Sequence, residues 1–501
     1  MTVKILSTSY LGIEPFLVET QIDISRGLPM FTIVGLGDTA ISESKDRIRA
    51  AIKNSGYFLE PRRITVNLSP ANIRKVGSQF DLPIAVGILL AMEEVTDLLN
   101  KIEKYIFIGE LALDGELKWV EGTVSSVILA KEFGFKGVVV PYANYSEANL
   151  IDGIEIIPCR TLMEVVNFLR GYYVKKDKPE LQPNEEMDYG DFAEVKGQEL
   201  AKRALEIVAA GGHNLIMIGT PGSGKSMLAK RLRSILPPMT SQEIIESTKI
   251  YSIAGELDKS RPIIDKRPFR APHHTTTVSA MVGGGTIPKP GEITLANNGV
   301  LFLDEIGEFS RGILETLRQP LEDRKISITR SNYKVDFPAK FILVAASNPC
   351  PCGYAYEDGD RCTCTQYEIN RYTKKLSGPI LDRIDIQLKI RRLRDEELIE
   401  KREVENSETI KQRVVKAREF QKERFGEEKL NSQMDEKEIE RFCKLNQETK
   451  KILKIAITSL NISARGYNKI LKIARTISDL KGKKEIEKEE ILEALSFRIS
   501  E

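Results

Sequence analysis

A chain of 501 residues is too long for one hydrophobic core, so two or three domains are expected. Lys and Arg number 74 against 72 Asp and Glu, a net charge of +2, which argues against a diffuse nucleic-acid surface and leaves any such contact to local loops. No apolar run is long enough to span a bilayer, and Met1-Thr2-Val3-Lys4-Ile5 opens no signal peptide, so a cytoplasmic protein without a membrane segment is expected.

In chain order, residues 1–170 read as an α/β domain. Leu17–Ile24 alternates like a half-buried strand, and Phe31–Val34 is a short apolar strand running into Gly35 and Gly37. Thr39–Ser55 has helical spacing, with Ile41, Ile48 and Ile52 on one face. Ile64–Leu68 predicts a strand, and Asp81–Ala91 the start of a buried helix. Tyr105–Ile108 and Gly137–Pro141 add strands, and Leu162–Leu169 closes the domain as a helix. Residues 171–190 are charged, Pro-bearing and aperiodic, which predicts a linker.

The segment 191–395 predicts a P-loop α/β core. Gly219-Thr220-Pro221-Gly222-Ser223-Gly224-Lys225-Ser226 has the G-x-x-x-x-G-K-S spacing of a phosphate-binding loop. An apolar strand, Leu215–Ile218, precedes it, and a helical pattern from Met227 follows. Backbone N–H groups would cradle phosphates, Lys225 would reach the β- and γ-phosphates of ATP, and the Ser226 hydroxyl would ligate Mg²⁺. Gly299–Leu303 followed by Asp304 and Glu305 has the Walker B pattern. Asp304 would hold Mg²⁺, and Glu305 would polarise the attacking water. Upstream, Val195–Gln198 and the helical run Ala201–Ala209 predict a turn and helix against the adenine.

A long insertion lies between the two motifs. It contains His273 and His274, and its length predicts a mobile element facing a substrate rather than a metal site. Ile326–Arg330 and Tyr333–Phe337 predict a hairpin turning at Ser331-Asn332 and lined by Arg324, Lys325, Arg330 and Lys334. An ordinary solvated hairpin fits the same pattern. Phe341–Ala346 is a buried strand, and Asn348 at its end suits a polar group facing the γ-phosphate or the lytic water.

Cys350-Pro-Cys352 and Cys362-Thr-Cys364 are two C-x-C knuckles that can give four thiolates to a tetrahedral Zn²⁺; free thiols or an iron–sulfur cluster are the alternatives. Cys159 and Cys443 are isolated and read as buried thiols. Arg383 is the candidate arginine finger acting on a neighbouring subunit, with an ion pair to Asp382 or Asp385 as the alternative. Residues 396–501 predict a helical lid. The mixed charge of 391–430 predicts a solvated helix, and Arg465 at a helix start is placed to reach back to ATP.

Residues 1–170 resemble the Lon-protease-like domain found in the RadA and ComM families. Gly35, Glu43–Arg47, Val66–Pro70, Phe80–Ala85, Gly109–Leu111, Asp114-Gly115 and Val140-Pro141 with Asn144 carry the likeness. Ile84 stands where a Lon protease has its serine, and no lysine occurs at 124–126, so a non-proteolytic scaffold or DNA-facing collar is expected. The whole chain resembles the ComM/YifB family of magnesium-chelatase-like AAA+ ATPases. The marks are Gly211–Asn214, the P-loop, Pro290–Glu292, Gly299–Glu305, Asn348–Gly353, Gly378-Pro379, Leu381–Asp385 and Ser463–Arg465. The resemblance implies a homohexameric ring driving branch migration on DNA, with the insertion and hairpin in the pore. A tetrapyrrole-pathway chelatase motor and a MoxR-like protein remodeller share the ATPase pattern. The zinc expectation rests on cysteine spacing, not on the resemblance.

Overall fold

The computed structural model describes residues 2–98, 100–180, 190–330, 333–355, 361–375, 380–393, 404–459 and 462–498. The predicted turn at Ser331-Asn332, the marks Gly378-Pro379, most of the linker's second half and part of the charged stretch lie outside them.

The N-terminal α/β region opens with β1 (Thr2–Leu11), β2 (Glu14–Ser25), β3 (Met30–Val34) and β4 (Arg63–Ser69), in sheet order β1-β2-β4-β3. The opening strand carried no sequence signal beyond the exclusion of a signal peptide, yet it pairs with β2 along its full length. The predicted helices form at Thr39–Asn54 and Asp81–Ala91. Asp38 caps the first by accepting the Ile41 N–H, and Ile41, Ile48 and Ile52 are buried as the spacing requires. Ile84 lies fully buried within the second helix. Three parallel strands, Tyr105–Phe107, Gly137–Pro141 and Glu155–Cys159, complete this region.

The central sheet has five parallel strands in the order Phe269–Arg270, Val300–Leu303, Ile342–Ser347, Leu215–Gly219, Ile386–Ile390. Val300–Leu303 and Ile342–Ser347 are buried at every residue, as strands covered on both faces must be. The insertion departs from the expected loop. It holds the 14-residue helix Ser241–Ala254, closed by a Thr240/Glu243 capping box, and it supplies the edge strand Phe269–Arg270. Period-3.6 patterning is weak in that helix because it is apolar on more than one side.

Helix Ser407–Phe425 also departs from expectation. Despite its charge, Ile410, Val414 and Ala417 are buried in the ATPase core cluster, so it is half-packed rather than solvated. Helix Ala464–Leu480 buries Ile470, Leu471, Ile473, Ala474 and Ile477 in the same cluster. Lid and sheet therefore share one core. Among the described residues, no helix is long and apolar enough to cross a membrane.

The hairpin forms as Lys325–Arg330 and Tyr333–Pro338. Arg324 is not on it; it ends the preceding helix in a left-handed conformation and donates to Ser432. Ile326, Ile328, Val335 and Phe337 share a core cluster with Tyr10 and Ile13. Gly12 makes the approach possible: at φ 64, a Cβ there would lie 2.1 Å from Val335 Cγ1. A second junction is polar. The Ser252 hydroxyl accepts the Gly122 N–H at 3.0 Å and donates to Glu147 at 2.9 Å, while Asn144 donates to the same carboxyl at 2.5 Å.

Burial pushes the Glu147 carboxyl up from the usual 4.5 to about 8 against the pull of these donors. The folded chain thus binds this proton more tightly than the unfolded one. The contribution is complete below the usual carboxyl range and is lost as pH rises through about 8. Glu147→Gln should therefore flatten the fall in thermal midpoint between mildly acidic and mildly alkaline buffer. An unchanged slope in that variant would remove Glu147 as the source.

Candidate nucleotide site

Register in the parallel sheet decides what can meet. Ile218 pairs with Ser347, and Leu303 with Ala345, so the P-loop, Asp304-Glu305 and Asn348 all emerge at the carboxyl edge of three adjacent strands. Helix Lys225–Ile235 starts directly at the loop, with Gly222 and Gly224 at φ 76 and 89. Its own first turn holds no acidic residue, so the free N–H groups and helix dipole of the start are not offset from within the helix.

Lys225 Nζ donates to Gly219 O at 2.6 Å, Thr220 O at 2.9 Å and Asn348 Oδ1 at 3.4 Å. Burial lowers its pKa, and Asp304 and Glu305 work against that shift. The Ser226 hydroxyl donates to Asp304 Oδ2 at 2.7 Å, and the Glu305 N–H donates to Asp304 Oδ1 at 3.0 Å. A hydroxyl and a carboxylate in contact at a phosphate loop form the all-oxygen donor set that suits Mg²⁺. Glu305 is held at φ 50, a left-handed conformation uncommon for glutamate and a local backbone strain beside Asp304. The predicted turn reaches the loop as well: Gln198 Nε2 donates to Ser223 O at 3.4 Å and to Arg391 O at 2.8 Å.

Sequence reasoning weighed His273 and His274 only as metal ligands or substrate contacts. Their rings stack with centroids 4.0 Å apart, and His274 Nδ1 lies 4.0 Å from Glu305 Oε2. The usable signal was their place just after the strand that pairs with Val300–Leu303.

Arg383 lies at the other edge. It precedes strand Ile386–Ile390, which pairs Ile386 with Leu215 and Ile390 with Gly219. Five residues at ~3.3 Å each separate the two edges by roughly 16 Å. An extended arginine reaches only about 7 Å, so Arg383 cannot serve the P-loop of its own chain. Its guanidinium pairs with Glu322 at 2.6 Å, not with Asp382 or Asp385. Arg465 lies 3.7 Å from the same Glu322 carboxylate. Arg465, expected to reach ATP, thus stands with Arg383 on the far edge. A cavity of about 650 Å³ opens there, lined by Glu322, Arg383, Arg465 and Lys469.

Asp385 belongs to the lid joint instead. It accepts the Asn214 N–H at 3.0 Å and lies 3.6 Å from both Lys469 and His213. Burial alone would raise its carboxyl, but Lys469, His213 and the Asn214 N–H outweigh it and hold the group well below the usual range.

The four cysteines converge. Cys350, Cys352, Cys362 and Cys364 place their sulfurs within 4.8 Å of one another, with separations of 3.3, 3.8 and 3.6 Å among the first three. Zn–S bonds of ~2.3 Å give a tetrahedron with edges of about 3.8 Å, so the observed spacing fits that ion. Cys159 and Cys443 are buried and apart from this group.

Residues 191–398 match the family described as magnesium chelatase, subunit ChlI. Residues 20–144 match subunit ChlI of Mg-chelatase, and 404–498 match the magnesium chelatase subunit ChlI C-terminal family. Competence protein ComM of Haemophilus influenzae is 42% identical over 501 residues, covering 99% of this chain and 97% of that one. YifB of Escherichia coli is 43% identical over 500 residues, with the same coverage of 99% and 97%. The magnesium-chelatase 38 kDa subunit of Cereibacter sphaeroides is 23% identical over 225 residues, covering 41% of this chain and 60% of that one. With full-length identity to two such relatives and this sheet order around the P-loop, the chain belongs to the ComM/YifB family of magnesium-chelatase-like AAA+ proteins.

Proposed function

We propose that this protein is an ATP-driven DNA motor, working as a homohexameric ring that promotes branch migration in recombination or natural transformation. One observation carries the reading. The phosphate, metal and water-activating groups sit at one edge of a sheet, and the two arginines that would complete the site sit at the other. A working site then needs a second copy, whose far edge faces the first copy's P-loop. ATP is the substrate. Lys225 exchanges its contacts to Gly219 O and Thr220 O for phosphate oxygens. Mg²⁺, when bound, would be held by Ser226 and Asp304 and would neutralise phosphate charge. Glu305 polarises the attacking water, Asn348 orients it, and Arg383 and Arg465 of the neighbour meet the γ-phosphate.

DNA as the driven substrate draws support from the competence name of the Haemophilus relative and from the hairpin. Arg330 and Lys334 are exposed near its tip, and Tyr333 donates to Gly285 O at 2.6 Å, joining the hairpin to the Gly-rich end of the insertion. The base of the hairpin is committed to the N-terminal region, so only its outer half is offered to a pore. Such contacts read phosphates, not sequence. In this reading residues 1–170 are a non-proteolytic collar, 171–190 a linker, 191–395 the motor and 396–501 the lid. The four thiolates hold a structural zinc ion, and the protein is cytoplasmic.

Lys225→Ala should abolish nucleotide binding, and Arg383→Ala should retain it while losing turnover. Mixing the two variants should recover part of the ATPase activity, because each supplies the neighbour with what it lacks. Mixtures as inactive as their components would show that Arg383 does not act across an interface. On a labelled three-strand junction, wild type should migrate the branch with ATP, and Glu305→Gln should bind ATP without migrating it. ATP hydrolysis indifferent to DNA, with no migration, would replace the DNA motor by a protein-remodelling one.

A further inference from the structure

The four-cysteine knot does not sit at the periphery of the molecule. It begins two residues beyond Asn348, which accepts from Lys225, and Cys350 is fully buried. The turn from Cys350 to Gly353 is closed by the Gly353 N–H donating to Cys350 O at 3.0 Å. Gly353 has φ +90, and a Cβ there would stand 2.7 Å from both Cγ and Cδ of Pro221. The knot thus presses backbone against the tip of the P-loop.

The knot's far end touches the other catalytic motif. Helix Gln366–Lys375 starts two residues after Cys364. Its Tyr372 is buried and packs on Gly307, where a Cβ would meet the Tyr372 Oη at 2.8 Å. Lys375 Nζ donates to Gly307 O at 3.3 Å. Gly307 lies two residues beyond Glu305, in the turn that holds Glu305 in its left-handed conformation. The Tyr372 hydroxyl also faces Ser347, whose own hydroxyl donates to Asn348 O at 2.9 Å.

We propose that the zinc–thiolate knot is a clamp on the catalytic centre: with zinc bound it fixes Asn348, Pro221 and the Glu305 turn relative to one another, and without zinc ATP still binds but turns over slowly. The inference rests on the ATPase reading and on the zinc assignment. Four neutral thiols hold one another only by weak S–H contacts, whereas four thiolates on one divalent ion are tied by strong directional bonds. Loss of the ion unties the Cys350–Gly353 turn from Cys362, Cys364 and the start of helix Gln366–Lys375, and with them both supports of the water-activating geometry. Two of the three contacts of Lys225, to Gly219 O and Thr220 O, are internal to the P-loop, so phosphate binding leans on the knot less than the water-activating geometry does. Cys350, Cys352, Cys362 and Cys364 would be metal ligands, and Gly353 and Tyr372 positioning residues.

The test uses the full chain, measuring metal content, affinity for a fluorescent ATP analogue, and ATP turnover without DNA. Wild type should carry one zinc per chain. A zinc-selective chelator, followed by return to magnesium buffer, should lower kcat by about 10- to 100-fold with analogue affinity little changed, and added zinc should restore it. Gly353→Ala keeps all four thiols but pushes the knot off Pro221. It should retain zinc and bind the analogue, yet show the same loss in kcat. Tyr372→Phe, which folds with the ring in place, should keep zinc and reduce kcat to a smaller extent. Wild-type turnover in zinc-loaded Gly353→Ala, or in stripped protein, would overturn the clamp and leave the ATPase reading standing. Wild-type protein without zinc would overturn the metal site and the clamp together. A zinc-loaded wild type that binds ATP but never hydrolyses it would remove the ATPase reading, and the clamp with it.

Discussion

A parallel strand has two ends, and a side chain cannot span it. That constraint shapes everything else in this molecule. The P-loop, Asp304, Glu305 and Asn348 share the carboxyl edge because adjacent parallel strands are in register there. Arg383 and Arg465 share the opposite edge, tied to one glutamate, Glu322. In a single copy, Glu322 neutralises cations that would otherwise repel one another on an open face.

The lid reinforces the same division. Helix Ala464–Leu480 brings Lys469 to Ile384 O at 3.0 Å and to Asp385 at 3.6 Å, beside the arginine edge. His213 bonds Thr476 at 2.8 Å, and Asn431 donates to Thr476 at 3.1 Å. A single-partner deletion here would leave buried polar or charged groups unpaired, which is costlier than the loss of one exposed ion pair. The lid is thus joined both to the turn that carries Arg383 and, through His213 and Asn214, to the start of the P-loop strand.

Much of this was legible in the sequence, for reasons that differ by residue. The P-loop and Walker B residues were readable because their chemistry demands fixed residue types at fixed local spacing. The strands over 215–219, 300–303 and 342–347 were readable because strands buried on both faces are short and wholly apolar. Helix Ser241–Ala254 was not, since its apolar residues serve more than one neighbour and blur the period. Arg465 was legible as the start of a helix, but local pattern carries no information about which sheet edge a lid helix meets, and only the fold sets it beside Glu322. Glu322 and Tyr372 meet their partners only across the fold, so no local signal marked them. The cysteine spacing announced a four-ligand cluster; only the fold placed it against Pro221 and Gly307.

The N-terminal region reaches the same machinery from the other side. Gly12 lets the β1–β2 turn sit on Val335, and Tyr10 and Ile13 complete an apolar cluster with the hairpin base and with Leu301 and Leu303 of the Walker B strand. The Ser252 bridge ties the region to the insertion helix, and Lys289 lies 3.4 Å from Glu121. Hairpin, insertion and N-terminal region are thus held as one body, and that body borders the strand carrying Asp304 and Glu305. The hairpin's second strand leads within three residues into Ile342–Ser347, which is buried throughout and pairs with Val300–Leu303, so the hairpin base is built onto the two strands that end at Asn348 and at Asp304.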